Sequence, residues 1–139
     1  MSKYIVTWFD KNLYKESKKV RDFKEAKGIL TDLESTLKNL GSGLSAPQIG
    51  IDKRVFIAKI SGKYEHFINP EILNSKGYKI TIESCLSFPK LIMPKIRKQE
   101  IEIKYQTICG EEKIKTYKKS NATVLQHEID HLKGKTILY

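Results

Sequence analysis

The sequence has no apolar run long enough to cross a membrane, and residues 1–4 lack the pattern of a secretory signal peptide. It also has no internal repeats, low-complexity tracts or linkers, and its 139 residues suffice for one sizeable core but not for two. We therefore expect a single domain over residues 1–139 that works in the cytoplasm. The chain has only two cysteines, Cys85 and Cys109, so one disulfide pairing is possible.

Acidic residues are scarce relative to basic ones. The chain has 16 aspartate and glutamate residues against 26 lysine and arginine residues, which gives a net charge of +10. Such a charge favours polyanions, and a basic RNA-binding module is one interpretation. The predicted strands carry no aromatic nucleic-acid signature, however, and the seven tyrosines are scattered. A solvated, lysine-rich surface is the simpler interpretation of the charge.

Periodic apolar residues predict a helix in the first third of the chain. Over residues 21–40 they recur at steps of three and four, at Phe23, Ala26, Leu30, Leu33, Leu37 and Leu40. This spacing gives one buried face, and Gly41 is expected to end the helix because glycine readily takes positive φ.

Strand patterns follow, and a second helix closes the chain. We predict strands at residues 54–60, 64–68, 78–82 and 100–105, with Gly110 turning the last of these into residues 112–118. Ser120 or Asn121 is expected to cap the final helix, and Gly134 to close it. The predicted fold class is α+β, with mostly antiparallel sheets packed around the C-terminal helix and one N-terminal amphipathic helix.

The final helix contains a metal-site pattern. His127 and His131 are four residues apart, so both imidazoles lie on one helical face within reach of one ion. Glu128 lies beside the first ligand, where a carboxylate reaches the water that such an ion activates. The competing interpretation is that the two histidines lie on an ordinary solvent-exposed face of the helix and bind no metal.

The third ligand has to come from upstream. A metzincin would follow the histidine pair with Gly134 and a further histidine, but Ile137 occupies that ligand position. The candidate donors are His66, Cys85 and Cys109. Cys85 is the best placed by context, because it directly follows a predicted strand. A lone histidine in a strand, such as His66, is usually structural, so it is assigned no role.

Three segments in order resemble the motifs of the peptide deformylase family. The chain has GSGLSAPQIG at residues 41–50, ESCLS at 83–87 and QHEIDH at 126–131, against the family forms GxGLxAxQxG, EGCLS and QHExDH. The segment FINPEI at residues 67–72 resembles a strand end that precedes the second motif in that family. The resemblance is to a short form that lacks a C-terminal extension, of the kind found in phages or organelle-like lineages.

This resemblance implies removal of the formyl group from N-formylmethionyl peptides, with release of formate. It implies that Cys85, His127 and His131 hold one divalent ion, Fe(II) being the native metal, with zinc, nickel or cobalt able to replace it. A disulfide would consume the Cys85 thiolate, so we expect none. Glu128 is implied as the base that takes a proton from water and delivers it to the leaving amine.

Further roles carry over from the matching motif positions. The Gln48 side-chain amide and the Leu86 backbone N–H are implied to stabilise the oxyanion, and Gly43 to bind the peptide backbone. Ser42 occupies a position that is often apolar and near the methionine pocket, and Ser84 replaces the usual glycine beside the metal ligand. Further candidates for the pocket rim are Val124, Thr81, Ser87 and Thr123.

Two expectations concern partners and substrates. The serines at positions 42 and 84 keep open a metal-dependent amidase or peptidase that acts on another substrate. The basic surface suggests weak attraction to the ribosome, where nascent substrates emerge. We expect a monomer in the cytoplasm, or in the host cytoplasm if a phage encodes it.

Overall fold

The computed structural model describes residues 3–138. It contains two α-helices, α1 (Phe23–Leu37) and α2 (Lys119–Leu132), and two short 3₁₀ helices at Lys11–Tyr14 and Ala46–Ile49. Seven strands complete it: β1 (Gly43–Ser45), β2 (Val55–Ile60), β3 (Lys63–Lys76), β4 (Lys79–Cys85), β5 (Phe88–Arg97), β6 (Glu100–Gln106) and β7 (Glu112–Lys118). None of the described helices has both the length and the apolar composition needed to cross a bilayer.

The strands form two antiparallel sheets. Five of them pair in the order β1-β2-β3-β6-β7, and β4 and β5 form a separate two-stranded hairpin. This mixture of helices with antiparallel sheets confirms the predicted α+β class. Short turns account for the pairs β2–β3, β4–β5 and β6–β7, because successive strands joined by a few residues can pair only antiparallel.

The core lies on both faces of the five-stranded sheet. Val55 and Ile57 of β2 pack in one cluster with α1, and Phe56 and Ala58 pack in a second cluster with α2. Successive side chains of a strand point to opposite faces, so the continuous apolar run of β2 is buried between the two helices. The apolar face of α2 is buried in the second cluster through Ala122, Leu125, Ile129 and Leu132. Burying a leucine side chain of this kind contributes about 1.5–3 kcal/mol.

The predicted strands at residues 54–60, 64–68, 78–82, 100–105 and 112–118 are confirmed, but one of them is much longer than predicted and one further strand was missed. The strand β3 continues through the FINPEI segment to Lys76, with a register shift between Ile68 and Glu71 and a positive φ of 51° at Asn69. The strand β5 (Phe88–Arg97) was not predicted at all. It contains Pro89 and Pro94, which reduce the strand signal and are tolerated here because the hairpin is only two strands wide.

Helix ends account for the other differences. The predicted end of α1 at Gly41 is wrong, because the helix ends at Leu37 and Lys38 takes the positive φ. The predicted cap of α2 is also wrong. The strand β7 runs directly into the helix, and its N-cap, Lys118, makes no side-chain capping hydrogen bond. Gly110 and Gly134 do adopt positive φ, which confirms them as the turn and the helix end.

Candidate metal centre

The three predicted ligands meet in the structure. Cys85 is the last residue of β4, whereas His127 and His131 lie on consecutive turns of α2. One ligand atom from each residue can be chosen so that all three lie within 4.8 Å of one another. The Cys85 Sγ atom is 3.3 Å from His131 Nε2, and the two imidazole centroids are 5.0 Å apart. A strand end and a helix face therefore converge on one point.

The chemistry of this group fits a divalent transition-metal ion. One thiol and two imidazoles are borderline-soft donors of the type that such ions prefer. Within residues 3–138, Glu128 Oε1 is buried without a hydrogen-bond partner, which points to a water molecule beside the triad. The other two candidate donors lie elsewhere: His66 contacts Glu34, and Cys109 is an exposed free thiol.

A buried carboxylate fixes the orientation of the first histidine. Glu83 Oε1 lies 3.0 Å from His127 Nδ1. When Nδ1 donates its hydrogen to this carboxylate, the Nε2 lone pair is left free for an ion, which is how metal-binding histidines are commonly oriented. The same Oε1 accepts a hydrogen bond from Arg97 Nη2 at 2.6 Å, and Oε2 accepts one from Arg97 Nε at 2.7 Å.

The same arginine joins the hairpin to the helix. Arg97 Nη1 donates to Asp130 Oδ2 in α2 at 2.5 Å, and the arginine side chain is only 6% exposed. The sequence prediction missed the roles of Glu83, Arg97 and Asp130. Glu83 and Asp130 lie inside the motifs, so their negative charge could have indicated that they bind a basic partner. The sequence around Arg97, however, does not indicate that it pairs with residues 14 and 33 positions away.

Burial and charge shift the pKa values of these groups in different directions. Burial raises the pKa of Glu128 to about 7. Burial alone would lower the pKa of His127, but hydrogen bonding to Cys85 and Glu83 raises it to about 10. Burial lowers the pKa of His131 well below its usual range. Burial would raise the pKa of Glu83, yet hydrogen bonds from Arg97 and its neighbours hold it well below its usual range. Glu128 is therefore the carboxyl group that can exchange a proton near neutral pH.

Gln48 is anchored so that its amide N–H group faces the thiol. It lies in the 3₁₀ helix Ala46–Ile49, and its Oε1 accepts hydrogen bonds from the backbone N–H and the hydroxyl of Ser45, both at 3.1 Å. Its Nε2 then donates to Ser87 Oγ at 3.2 Å and lies 3.5 Å from Cys85 Sγ. A side-chain donor held at both ends is preorganised to act on a group bound beside the thiol.

Gly43 allows the backbone of β1 to approach the carboxylate of Glu128. A Cβ atom at this position would lie 2.8 Å from Glu128 Oε2 and 3.1 Å from the carbonyl oxygen of Ile57. A side chain here would displace the carboxylate or the strand. The glycine therefore has a packing role in addition to the predicted contact with substrate.

Two residues of the triad, Cys85 and His127, line a cleft of about 660 Å³ together with Glu128, whereas His131 is buried. All six residues predicted to bind the substrate or the oxyanion line this cleft: Ser42, Gly43, Gln48, Ser84, Leu86 and Val124. Among the further rim candidates, Thr123 also lines it. The other two have different partners, because Ser87 is buried against Gln48 and Thr81 donates to Glu83.

Known proteins resemble the chain over almost its whole length. A model of the family described as polypeptide deformylase matches residues 2–139. The peptide deformylase of Pseudothermotoga lettingae is 39% identical over 137 residues, which covers 96% of this chain and 80% of that protein. The peptide deformylase of Prosthecochloris aestuarii is 38% identical over 137 residues, covering 88% of this chain and 74% of the relative.

Solved structures extend this likeness to three dimensions. The crystal structure of peptide deformylase from Thermotoga maritima has a TM-score of 0.96 at 34% sequence identity, with 99% of this chain and 96% of that chain covered. A Plasmodium falciparum peptide deformylase in complex with an inhibitor has a TM-score of 0.89 at 32% identity, with coverage of 96% and 86%. The fold, including the strand end and helix that carry the triad, is thus shared with these proteins.

Proposed function

The chain belongs to the polypeptide deformylase family, metal-dependent hydrolases that remove the N-formyl group from nascent polypeptides, and we propose which of its residues carry out each part of that reaction. Cys85, His127 and His131 hold the ion, and Glu128 is the acid–base residue. The observation that carries this proposal is the convergence of the three ligand atoms within 4.8 Å, beside a cleft that Cys85, His127 and the buried Glu128 line.

We propose Fe(II) as the native metal, with zinc, nickel or cobalt able to occupy the same ligands. A thiolate with two imidazoles accepts any of these ions, so the donor set alone does not select one of them. When bound, such an ion polarises the formyl carbonyl and lowers the pKa of a water molecule. Glu83 supports the site by keeping His127 in the tautomer whose Nε2 can bind metal.

Glu128 moves the proton in this mechanism. Its Oε1 has no hydrogen-bond partner among residues 3–138, and its pKa of about 7, raised by burial, suits both proton uptake and release at neutral pH. The carboxylate accepts the proton of the attacking water and then delivers it to the nitrogen of the leaving amine. The other oxygen, Oε2, lies against Gly43, where there is no side chain to push it away.

Two donors stabilise the charge that develops on the formyl oxygen. They are the Gln48 amide, which Ser45 holds in place, and the Leu86 backbone N–H, next to Cys85 in the chain. Removing one oxyanion donor typically slows a hydrolase about 10²- to 10³-fold. The substrate's methionine and backbone bind along Ser42, Gly43, Ser84 and Val124, which line the cleft.

We propose that one catalytic domain spans residues 1–139 and acts as a monomer in the cytoplasm. Its net charge of +10 supports a weak electrostatic attraction to the ribosome. Co-sedimentation with ribosomes should then weaken steeply as salt increases, because lysine contacts to phosphate release counterions. Co-sedimentation that stays constant between low and moderate salt would argue against this attraction.

Formate release from a formyl-Met-Ala-Ser peptide by protein loaded with Fe(II) or Ni(II) tests the proposal. Glu128→Ala should lose about 10²- to 10⁴-fold in kcat, and Gln48→Leu about 10²- to 10³-fold, with the metal retained in both. Glu71→Ala is the matched control, since Glu71 forms only an exposed ion pair with Lys104 at 3.8 Å. Full activity in Glu128→Ala would refute the mechanism.

A further inference from the structure

The two faces of the β4–β5 hairpin differ in chemistry. The inner face carries the buried Glu83 and Arg97. Apart from Ser84, the paired residues of the outer face are aliphatic. We call these residues the apolar stripe: Ile80, Ile82, Ile92, Pro94 and Ile96. Strand register makes the stripe continuous, because Ile80 pairs with Ile96, Ile82 with Pro94 and Ser84 with Ile92. Directly paired residues point to the same face of a sheet.

The apolar stripe is far more exposed to solvent than isoleucine residues usually are. Its four isoleucines are 64–77% exposed to solvent. Together they present roughly 500 Å² of apolar surface, the size of the largest patch on a typical monomer, which is often functional. Strand propensity explains β-branched side chains on a hairpin, but threonine would satisfy it equally well. The stability of the hairpin therefore does not account for the absence of polar side chains.

One end of the stripe enters the cleft beside the metal-ligand triad. Ile82 and Ile92 line this cleft, and Ser84, opposite Ile92, directly precedes Cys85. Ile80 and Ile96 form the other end and are not among the lining residues of the cleft. Ile80 lies four positions before Ser84 in β4, a distance of roughly 13 Å in a strand. A polypeptide leaving the cleft along this face would meet apolar side chains for about four of its own residues.

We propose that the apolar stripe binds apolar side chains of the substrate polypeptide downstream of its formylmethionine. This inference rests on the proposed function, in which the cleft holds the formylated N-terminus. Two observations favour substrate over a second copy of the chain. The stripe is continuous with the cleft, and its area falls short of the roughly 800 Å² per partner that a stable dimer buries. Weak, sequence-tolerant contacts also suit a substrate that must leave after one reaction.

The expected consequence depends on substrate length. A tripeptide ends before the far part of the stripe, so its KM gains nothing from Ile80 and Ile96. A hexapeptide with apolar residues at positions four to six reaches them, and its KM should be on the order of 10-fold lower than that of a polar hexapeptide. Because the stripe lies beyond the reacting atoms, kcat should be the same for both hexapeptides.

The experiment compares three peptides on metal-loaded protein: formyl-Met-Ala-Ser, formyl-Met-Ala-Ser-Ile-Val-Leu and formyl-Met-Ala-Ser-Ser-Asn-Ser. The double variant Ile80→Thr/Ile96→Thr keeps β-branched residues in both strands and should lose the preference for the apolar hexapeptide, while its kinetics on the tripeptide stay unchanged. The matched control is Ile114→Thr, since Ile114 is 55% exposed on β7 and does not line the cleft. It should retain the preference in full.

Each outcome decides the proposal. Equal KM values for the two hexapeptides in the wild type would overturn it, as would a preference that survives in the double variant. A concentration-dependent dimer, measured by light scattering and abolished by the double variant, would mean that a second copy covers the stripe. Absence of formate release from the tripeptide would instead refute the proposed function. Loss of activity on all three peptides by the double variant alone would show a structural role for the stripe, and the KM values of the two hexapeptides on the wild type would then decide the proposal.

Discussion

The two regions that carry the proposed metal ligands are held in the protein in different ways. The helix α2 places Ala122, Leu125, Ile129 and Leu132 in a cluster of apolar side chains from the five-stranded sheet. The β4–β5 hairpin contributes Cys85 and Phe88 to a much smaller cluster near its turn. Farther along the hairpin, the buried residues of its inner face are charged rather than apolar.

This difference shows what positions the thiol relative to the imidazoles. The helix is fixed by apolar burial, which is non-directional and spread over many contacts. The hairpin is tied to the helix by Arg97, which binds Glu83 on its own sheet and Asp130 on α2. Hydrogen bonds between charged groups are directional, so a few of them can set the position of Cys85 closely. The metal site should therefore be more sensitive to the charged contacts than to the core.

Removal of the central arginine should have the largest effect. Arg97→Leu leaves Glu83 and Asp130 without their buried partner, and breaking such a pair typically destabilises a protein by about 3–5 kcal/mol. The variant should unfold at lower denaturant concentration and bind metal more weakly. Arg21→Leu is the control, because Arg21 is an exposed arginine outside both regions. A similar loss in both variants would remove the distinction between the two regions.

Truncation of the helix core should affect stability without affecting the site. Leu125 is fully buried in α2, and Leu125→Ala should lower the free energy of unfolding by about 2–5 kcal/mol through lost burial and the cavity left behind. Below its melting temperature the folded variant should still bind one metal ion with nearly unchanged affinity, measured by competition with a chelator. A fall in affinity as large as in Arg97→Leu would show that the core also positions the ligands.

Neutralising the carboxylate that orients His127 should have the smallest effect of the three. Glu83→Gln keeps the shape of the side chain but weakens its hydrogen bond to His127 and its attraction to Arg97. Loss of such an orienting partner typically reduces metal affinity about 10- to 100-fold. Glu65→Gln is a suitable control, because Glu65 lies away from the triad. It accepts a hydrogen bond from the Tyr117 hydroxyl at 3.1 Å. Unchanged affinity in Glu83→Gln would mean that the ring orientation is set by packing alone.

Local spacing made the centre of the site predictable. His127 and His131 share a helix face by periodicity alone, and the order of the three motifs indicated Cys85 as the third ligand. Gly110 and Gly134 were predicted correctly because positive φ is a property of single residues. The strand at residues 112–118 was likewise found from the turn that precedes it.

Contacts between distant residues were not predictable in the same way. Arg97 has an ordinary local sequence, and its partners lie in another strand and another helix. The strand β5 was missed because Pro89 and Pro94 interrupt the pattern that identifies strands. The end of α1 was misplaced because Lys38 adopts a backbone conformation that favours glycine, and no propensity scale predicts this.

The most direct test of the account is the absorption spectrum of the cobalt(II)-loaded protein in three forms: wild type, Cys85→Ser and Cys109→Ser. Cysteine thiolate bound to cobalt produces a near-ultraviolet charge-transfer band, whereas serine does not. We predict one cobalt per chain with this band in the wild type and in Cys109→Ser, and its loss in Cys85→Ser. A band that survives in Cys85→Ser, or that disappears in Cys109→Ser, would contradict the assignment of Cys85, His127 and His131 as one metal centre.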